Sequence, residues 1–290
     1  MVGHSDLDRP SAWHFWEGAW VSGNPGIMGP MTHGAWMAST VFDGARAVEG
    51  LAPDLDRHCA RLIASAQAMD LDPPLDATAV VDRVKEGIDR FRAGTPLYIR
   101  PMIWAESGFV APEPESARLC ITLIEAALPS VEGLSVCLSG YRRPTPESAP
   151  TDAKAACLYP NSGRALRAAR KRGFDNAVLL DALGNVAELA TANIAIVKDG
   201  EVITPSPNGS FLNGITKQRV MSLLAHEGLT VTERRLTWTE CTTADEIFST
   251  GNHGKVIPIR RIEDRDIPIG PISQKARALY WAWARETGKV

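Results

Sequence analysis

Residues 152–159 read Asp152-Ala153-Lys154-Ala155-Ala156-Cys157-Leu158-Tyr159, a mostly apolar run with one amine and one phenol. An ammonium among apolar side chains loses hydration, which lowers its pKa and frees the lone pair for attack on a carbonyl. That is the setting a Schiff-base lysine needs. A carboxylate follows at Glu188, in Gly184-Asn185-Val186-Ala187-Glu188-Leu189-Ala190-Thr191-Ala192-Asn193. Asn213-Gly214-Ile215-Thr216 then opens a helical pattern. The first-turn N–H groups of a helix lack internal partners and carry partial positive charge, which suits a phosphate. An amine, a carboxylate and a phosphate cradle, in that order, suggest one cofactor, pyridoxal phosphate. Glu188 would pair with its protonated ring nitrogen and keep the ring an electron sink.

Each of these residues also has a plainer reading. Lys154 could be a surface lysine with its stem on apolar neighbours, Glu188 a solvated strand end, and Gly214-Ile215-Thr216 a simple helix start. Arg61, on a helix with an apolar face, could pair with phosphate or face water. Arg100, inside the strand-like Tyr98-Ile99-Arg100-Pro101-Met102, suits carboxylate recognition or a buried salt bridge. His33, His58 and His253 share no metal-ligand spacing, and His253 is a candidate to line the site.

The bulk properties narrow the field. At 290 residues the chain is long for one simple core and favours one large or two modest domains. Its 44% hydrophobic and 22% charged residues are ordinary for a soluble globular protein. A formal net charge of -3 gives no reason to expect nucleic acid or an anionic membrane as partner. No apolar run approaches membrane-spanning length, and Met1 to Pro10 lacks the apolar stretch of a signal peptide. Five scattered cysteines without a CxxC pair suggest neither a zinc site nor a disulfide framework, and the simplest setting is the reducing cytoplasm.

The organisation is read from periodicity and turn residues. Ala35 to Ala47 reads as a strand with a turn at Asp43-Gly44. Leu55 to Met69 and Ala79 to Phe91 read as helices, and Leu97 to Trp104 and Ala117 to Ile124 as strands. After a linker at 127–133 come a strand from Leu134 and a helix from Ser162 to Arg172, with Asn161 or Ser162 as N-cap. Short strands follow at 177–180, 194–198 and 201–203, then a helix from Thr216 to Glu227, strands at 246–250 and 256–259, and a final helix from Ser273 to Glu286. Strands and helices alternate without a strict βαβ rhythm, so the expected class is α+β with mixed sheets. The expected division is a small α/β domain over 1–126, the linker at 127–133, and a large domain over 134–290.

The pieces together resemble the class IV aminotransferases, the fold-type IV pyridoxal phosphate enzymes that include branched-chain aminotransferases. The matching pieces are Val41-Phe42-Asp43-Gly44-Ala45-Arg46, His58 to Leu62, Tyr98-Ile99-Arg100-Pro101, Ala153-Lys154-Ala155 with Tyr159, Glu188 with Asn193, Gly214-Ile215-Thr216, and Ala244 to Phe248. The resemblance implies a two-domain fold-type IV enzyme with mixed sheets and flanking helices, in which the large domain binds pyridoxal 5'-phosphate. It implies Lys154 as the Schiff-base lysine, Glu188 on the pyridine nitrogen and Tyr159 on the ring phenolate. Arg61, Ile215, Thr216 and the Thr250 to Asn252 turn would hold the phosphate, and Leu212 would pack on the ring. Family members are usually homodimers.

Two departures bear on substrate. Branched-chain enzymes carry Tyr-Gly before Phe-Glu-Gly-Ile-Arg, where this chain has Trp36-Met37-Ala38; their Gly-Thr-Ala-Ala turn is here Gly251-Asn252-His253-Gly254. Tyr98-Ile99-Arg100-Pro101 leans toward the branched-chain group over the D-amino acid group. The expected reaction moves an amino group from an amino acid, a branched-chain L-amino acid first, to a 2-oxo acid such as 2-oxoglutarate. Lys154 would act as base and then acid. Arg46 and Arg100, with Tyr98, are candidates for carboxylate recognition, and Trp36, Met37, Phe42 and Trp104 for an apolar side-chain pocket. The alternatives are a fold-type IV lyase resembling aminodeoxychorismate lyase, and a D-amino acid or (R)-amine transaminase.

Overall fold

The computed structural model describes residues 11–290, and all counts below refer to these. The segment Met1 to Pro10, read above for a signal peptide, lies outside the described residues. The chain divides into two compact units, one of the residues up to Leu128 with Lys289–Val290, the other Pro129–Gly288.

The first unit runs β1 (Ala12–Trp16), β2 (Ala19–Ser22), α1 (His33–Trp36), β3 (Thr40–Phe42), β4 (Ala45–Ala47), α2 (Leu55–Ala68), α3 (Ala77–Ile88), β5 (Leu97–Ala105) and β6 (Ala117–Glu125). Its sheet has the order β2-β1-β6-β5-β3, with β4 also on β5, and every pairing is antiparallel. Successive side chains on a strand point to opposite faces. In β5 that alternation sends Leu97, Ile99 and Ile103 into the core, where α2 contributes Leu55, Cys59, Leu62 and Ala66 and α3 contributes Val80 and Val84. Tyr98, Arg100 and Met102 take the other face. Register then sets their neighbours: Arg46 opposes Tyr98, Phe42 opposes Met102, and Thr122 opposes Arg100.

The strand expected across Ala35 to Ala47 is broken. His33–Trp36 is one helical turn, and Ala38 has φ of 59°, left-handed backbone that a strand cannot include. His33 anchors the turn through Ser39 Oγ at 2.7 Å and the Phe109 carbonyl at 3.1 Å. α3 begins at Ala77, ahead of the expected Ala79, because Asp76 accepts the Ala79 N–H and caps the helix there.

The second unit runs β7 (Leu134–Arg142), α4 (Tyr159–Lys171), β8 (Asn176–Leu180), β9 (Val186–Leu189), β10 (Asn193–Lys198), β11 (Glu201–Pro205), α5 (Ile215–His226), β12 (Val231–Arg234), α6 (Trp238–Thr242), β13 (Glu246–Gly251), β14 (Lys255–Ile262), β15 (Arg265–Asp266) and α7 (Pro271–Thr287). Its sheet order is β12-β11-β10-β13-β14-β7-β8-β9, with β15 on β14. The β11–β12, β14–β7 and β7–β8 pairs are parallel and the others antiparallel, the mixed sheet expected. Val136, Val178, Leu189, Ile194, Ile196 and Ile259 fill one core. Ala195, Val220, Leu224, Phe248 and Tyr280 make a second with α5 and α7, and Ala165, Ala169 and Phe174 a third with α4.

α4 starts at Tyr159, three residues before the expected Ser162. Pro160 in the first turn explains it, since proline's fixed φ suits a helix start and its missing N–H costs nothing there. The start of α7 depends on a distant carboxylate: Glu246 of β13 accepts the Ile272 N–H at 3.1 Å and the Ser273 N–H at 2.8 Å. Gly270 leaves room for it, because a Cβ there would overlap the Glu246 carboxyl. Glu246→Ala should therefore destabilise the protein by about 1–3 kcal/mol, the cost of unsatisfied buried donors. Urea unfolding checks this, and an unchanged midpoint would refute the capping role.

Candidate active site

Ala153 and Ala155 are fully buried and pin the backbone on both sides of Lys154. The turn they fix aims the lysine at the first residue of α4, and its ammonium donates to the Tyr159 hydroxyl, with Nζ 5.1 Å from the ring centroid. The amine and phenol that open the sequence argument thus meet directly.

Glu188 sits on β9 with its side chain 15% exposed. Arg143 Nε lies 3.3 Å from its Oε1, and Asn193 Nδ2 donates to its Oε2 at 3.3 Å. Burial pushes the carboxyl pKa up to about 7, against the opposing pull of the Arg143 and Lys154 charges. Arg143 also donates to the Ser210 carbonyl at 3.0 Å, so its guanidinium is held both by β9 and by the loop before α5.

Asn193, the first residue of β10, ties this carboxylate to the phosphate-type turn. Its Nδ2 also donates to the Leu212 carbonyl at 3.1 Å, and its Oδ1 accepts the Gly214 N–H at 3.1 Å. Gly214 has to be glycine, since a Cβ would strike Asn193 Oδ1. Gly214 is the N-cap of α5 and supplies no side-chain acceptor, while Ile215 and Thr216 are buried in the first turn. Across the sheet, Asn193 pairs in register with Thr250. The Thr250 hydroxyl and Asn252 Nδ2 are buried and make no hydrogen bond within the protein. Buried donors rarely go unmatched. A helix N-terminus without a cap, beside two unmatched donors on a neighbouring strand end, fits a phosphate group. Glu188 and Lys154 fit the nitrogen and aldehyde of a pyridoxal ring. His253 lines a cavity of about 340 Å³ that also touches Asn176, Thr191, Ser249 and Lys255.

The remaining sequence candidates lie in the first unit. Arg61 donates Nε and Nη2 to Asp43 at 2.7 and 2.9 Å, and His58 Nδ1 lies 2.8 Å from the same carboxyl. Burial opposes ionisation of Asp43, yet Arg61 and His58 outweigh it and hold the carboxyl well below the usual range. Arg46 is buried, donates to the Ala126 carbonyl at 2.9 Å and lies over the Tyr98 ring at 5.9 Å. Arg100 is half-buried, with an Nε that has no partner within the protein. Arg46, Tyr98, Arg100 and Phe42 share one sheet face, as register requires. Trp36 and Met37 are 46% and 40% exposed, while Trp104 is buried and stacks on Trp16.

Two residues were not named by the sequence reading, Arg143 and Lys255, and Asn193 was named beside Glu188 without a role of its own. Arg143 stands in Tyr141-Arg142-Arg143-Pro144, where nothing separates it from its exposed neighbour. Asn193 had a faint signal, a carboxamide five residues after a strand carboxylate. Among the described residues no cluster of His, Cys, Asp or Glu could hold a metal ion, and no helix is long and apolar enough to cross a membrane.

The family profile described as amino-transferase class IV matches residues 40–262. The chain belongs to the class IV aminotransferases. This transaminase is 32% identical over 291 residues to a probable branched-chain-amino-acid aminotransferase of Aquifex aeolicus (strain VF5), covering 95% of this chain and 93% of that one. It is 46% identical to an aminotransferase from Brucella abortus solved with bound PLP, with a TM-score of 0.94 over 95% of this chain and 99% of that one. A branched-chain aminotransferase from Thermoproteus uzoniensis solved with norvaline is 28% identical, with a TM-score of 0.88 and 96% of each chain covered. The fold is that of the fold-type IV aminotransferases.

The raised pKa of Glu188 makes a stability prediction for the cofactor-free transaminase. The folded state keeps a proton that the unfolded chain, near 4.5, has released, so stability should fall as pH rises from about 4.5 to about 7. The fall is at most about 3 kcal/mol. Glu188→Gln should flatten the slope in that window. Parallel pH–stability curves for the two proteins would contradict it.

Proposed function

We propose that this transaminase moves an amino group from a branched-chain L-amino acid to a 2-oxo acid such as 2-oxoglutarate, with pyridoxal 5'-phosphate as its cofactor. One observation carries the reading most directly. A lysine amine on a tyrosine hydroxyl acts on the same buried carboxylate that Asn193 ties to an uncapped helix N-terminus. The named relatives support the donor class, as does Tyr98-Ile99-Arg100-Pro101.

When bound, the cofactor supplies an aldehyde for amine exchange and a cationic ring that draws electron density from the substrate Cα. The protein supplies the rest. Lys154 would hold the cofactor through its Nζ, and the same amine would serve as the base and then the acid for the substrate Cα proton. The Tyr159 hydroxyl orients that amine and reaches the ring phenolate. Glu188 serves the ring nitrogen as an anion, and Arg143 opposes the tendency of burial to protonate it. Ile215, Thr216, Thr250 and Asn252 would donate to the phosphate, and Leu212 would back the ring. In the first unit we assign Arg61 to the phosphate and Arg46, Tyr98 and Arg100 to substrate carboxylates. Trp36, Met37 and Phe42 are assigned to recognition of the substrate side chain. The working form is a cytoplasmic homodimer, with a small domain over 1–126, a linker at 127–133 and a cofactor-binding domain over 134–290.

Lys154→Ala should abolish both the visible absorption of bound cofactor and transamination, while an unchanged spectrum and rate would overturn the assignment. For the substrate, the holoenzyme is offered branched-chain and aromatic L-amino acids, D-alanine and (R)-1-phenylethylamine, and conversion to the pyridoxamine form is read in the visible spectrum. The branched-chain L-amino acids should convert it fastest. Faster conversion by D-alanine or the (R)-amine would refute the donor class, and repeated turnover without 2-oxoglutarate, releasing more than one equivalent of keto acid per active site, would turn the reaction into a lyase.

A further inference from the structure

Lys255 is 1% exposed and opens β14 with φ of 63°, in the left-handed region. An ammonium is expensive to bury and must be met by acceptors or a counter-charge. Its Nζ donates to Asn252 Oδ1 at 2.8 Å and lies 5.6 Å from the Tyr280 ring centroid. A lysine can only donate, so the carboxamide atom facing it has to be the oxygen. The Asn252 Nδ2 is thereby turned the other way, and it is buried with no partner in the protein. Two residues earlier the Thr250 hydroxyl, on a residue 1% exposed, is unmatched as well. Thr250 stands in register with Asn193, whose Oδ1 holds the Gly214 N–H at the uncapped start of α5. Two unmatched buried donors and a helix N-terminus thus lie in one neighbourhood with a buried cation behind one of them.

We propose that Lys255 is a positioning residue of the phosphate cradle: through Oδ1 it orients the Asn252 carboxamide so that Nδ2 donates to the cofactor phosphate. The proposal rests on the pyridoxal phosphate reading above. The buried ammonium also gives the turn a positive charge that a small apolar side chain at 255 would lack, and a charge-assisted bond to a neutral amide polarises it toward donation. Gly254 permits the arrangement, because a Cβ there would overlap Ile257.

The test compares pyridoxal 5'-phosphate with pyridoxal, which lacks the phosphate, in spectroscopic binding titrations of cofactor-stripped protein. Lys255→Met should weaken binding of the phosphorylated ligand on the order of ten- to a hundredfold while leaving pyridoxal nearly unchanged. Asn252→Ala should match it, and the double variant should lose no more than either single one. Lys255→Gln, which keeps a neutral donor toward Asn252, should restore part of the loss. A general packing defect would instead weaken both ligands alike, and that result, or additive losses, overturns the proposal. Should Lys255→Met not fold, Asn252→Asp keeps the acceptor for Lys255 and removes the donor; undiminished preference for the phosphorylated ligand in that variant overturns it equally. Wild-type protein that binds both ligands equally would refute the proposal while leaving a pyridoxal site at Lys154. Wild-type protein that binds neither would overturn the cofactor reading and the inference with it.

Discussion

A carboxylate withdrawn from water has to be paired, and the second unit is organised around pairing Glu188. Three groups act on it: the Arg143 guanidinium, the Asn193 carboxamide and the charge of Lys154. They come from different segments, so the carboxylate also fixes those segments in register with one another. Asn193 does most to spread that constraint. One side chain meets Glu188, the Leu212 carbonyl and the Gly214 N–H, and its backbone pairs with Thr250. Moving any one of these would leave a buried polar group unmatched, at a cost comparable to a sizeable part of a domain's net stability.

In the proposed function, that arrangement would give catalysis a rigid frame. A general base has to be held within hydrogen-bond reach of its proton. Buried alanines on both sides of Lys154 fix the backbone, and Tyr159 fixes the amine. Electrostatics follow the same plan. Burial favours the protonated form of Glu188, and the nearby Arg143 and Lys154 charges work against that. Asp43 in the first unit shows the opposite balance, where Arg61 and His58 overcome a deeper burial and keep the carboxylate ionised.

Much of this was legible in the sequence, and the limits have physical causes. The helices Leu55–Ala68 and Ile215–His226 lie within a residue or so of their expected bounds, because each carries a clear apolar period and a stop. Lys154, Tyr159 and Glu188 stood out as polar groups in apolar runs, and that contrast survives folding as a local cluster. The hairpin of Ala12–Trp16 and Ala19–Ser22 was not read, since its turn is Glu17-Gly18 with both residues at positive φ, a weaker signal than Asn-Gly. The start of α4 was placed late because Asn161 or Ser162 was read as the cap, whereas Pro160 stands in the first turn. Arg143 and Lys255 escaped notice for a different reason. What matters about each is a partner in another segment or across a turn, and neither the charge nor the neighbours of a lysine or arginine in sequence reveal it.

The central claim is that Lys154, of all the lysines in this chain, carries the cofactor. Lys217 and Lys255 are more deeply buried, so burial alone would not select it. Borohydride reduction of the holoenzyme, followed by proteolysis and mass mapping of the phosphopyridoxyl peptide, tests the claim directly. The modification should fall on Lys154 alone. A phosphopyridoxyl group on Lys217, on Lys255 or on no lysine would contradict the account.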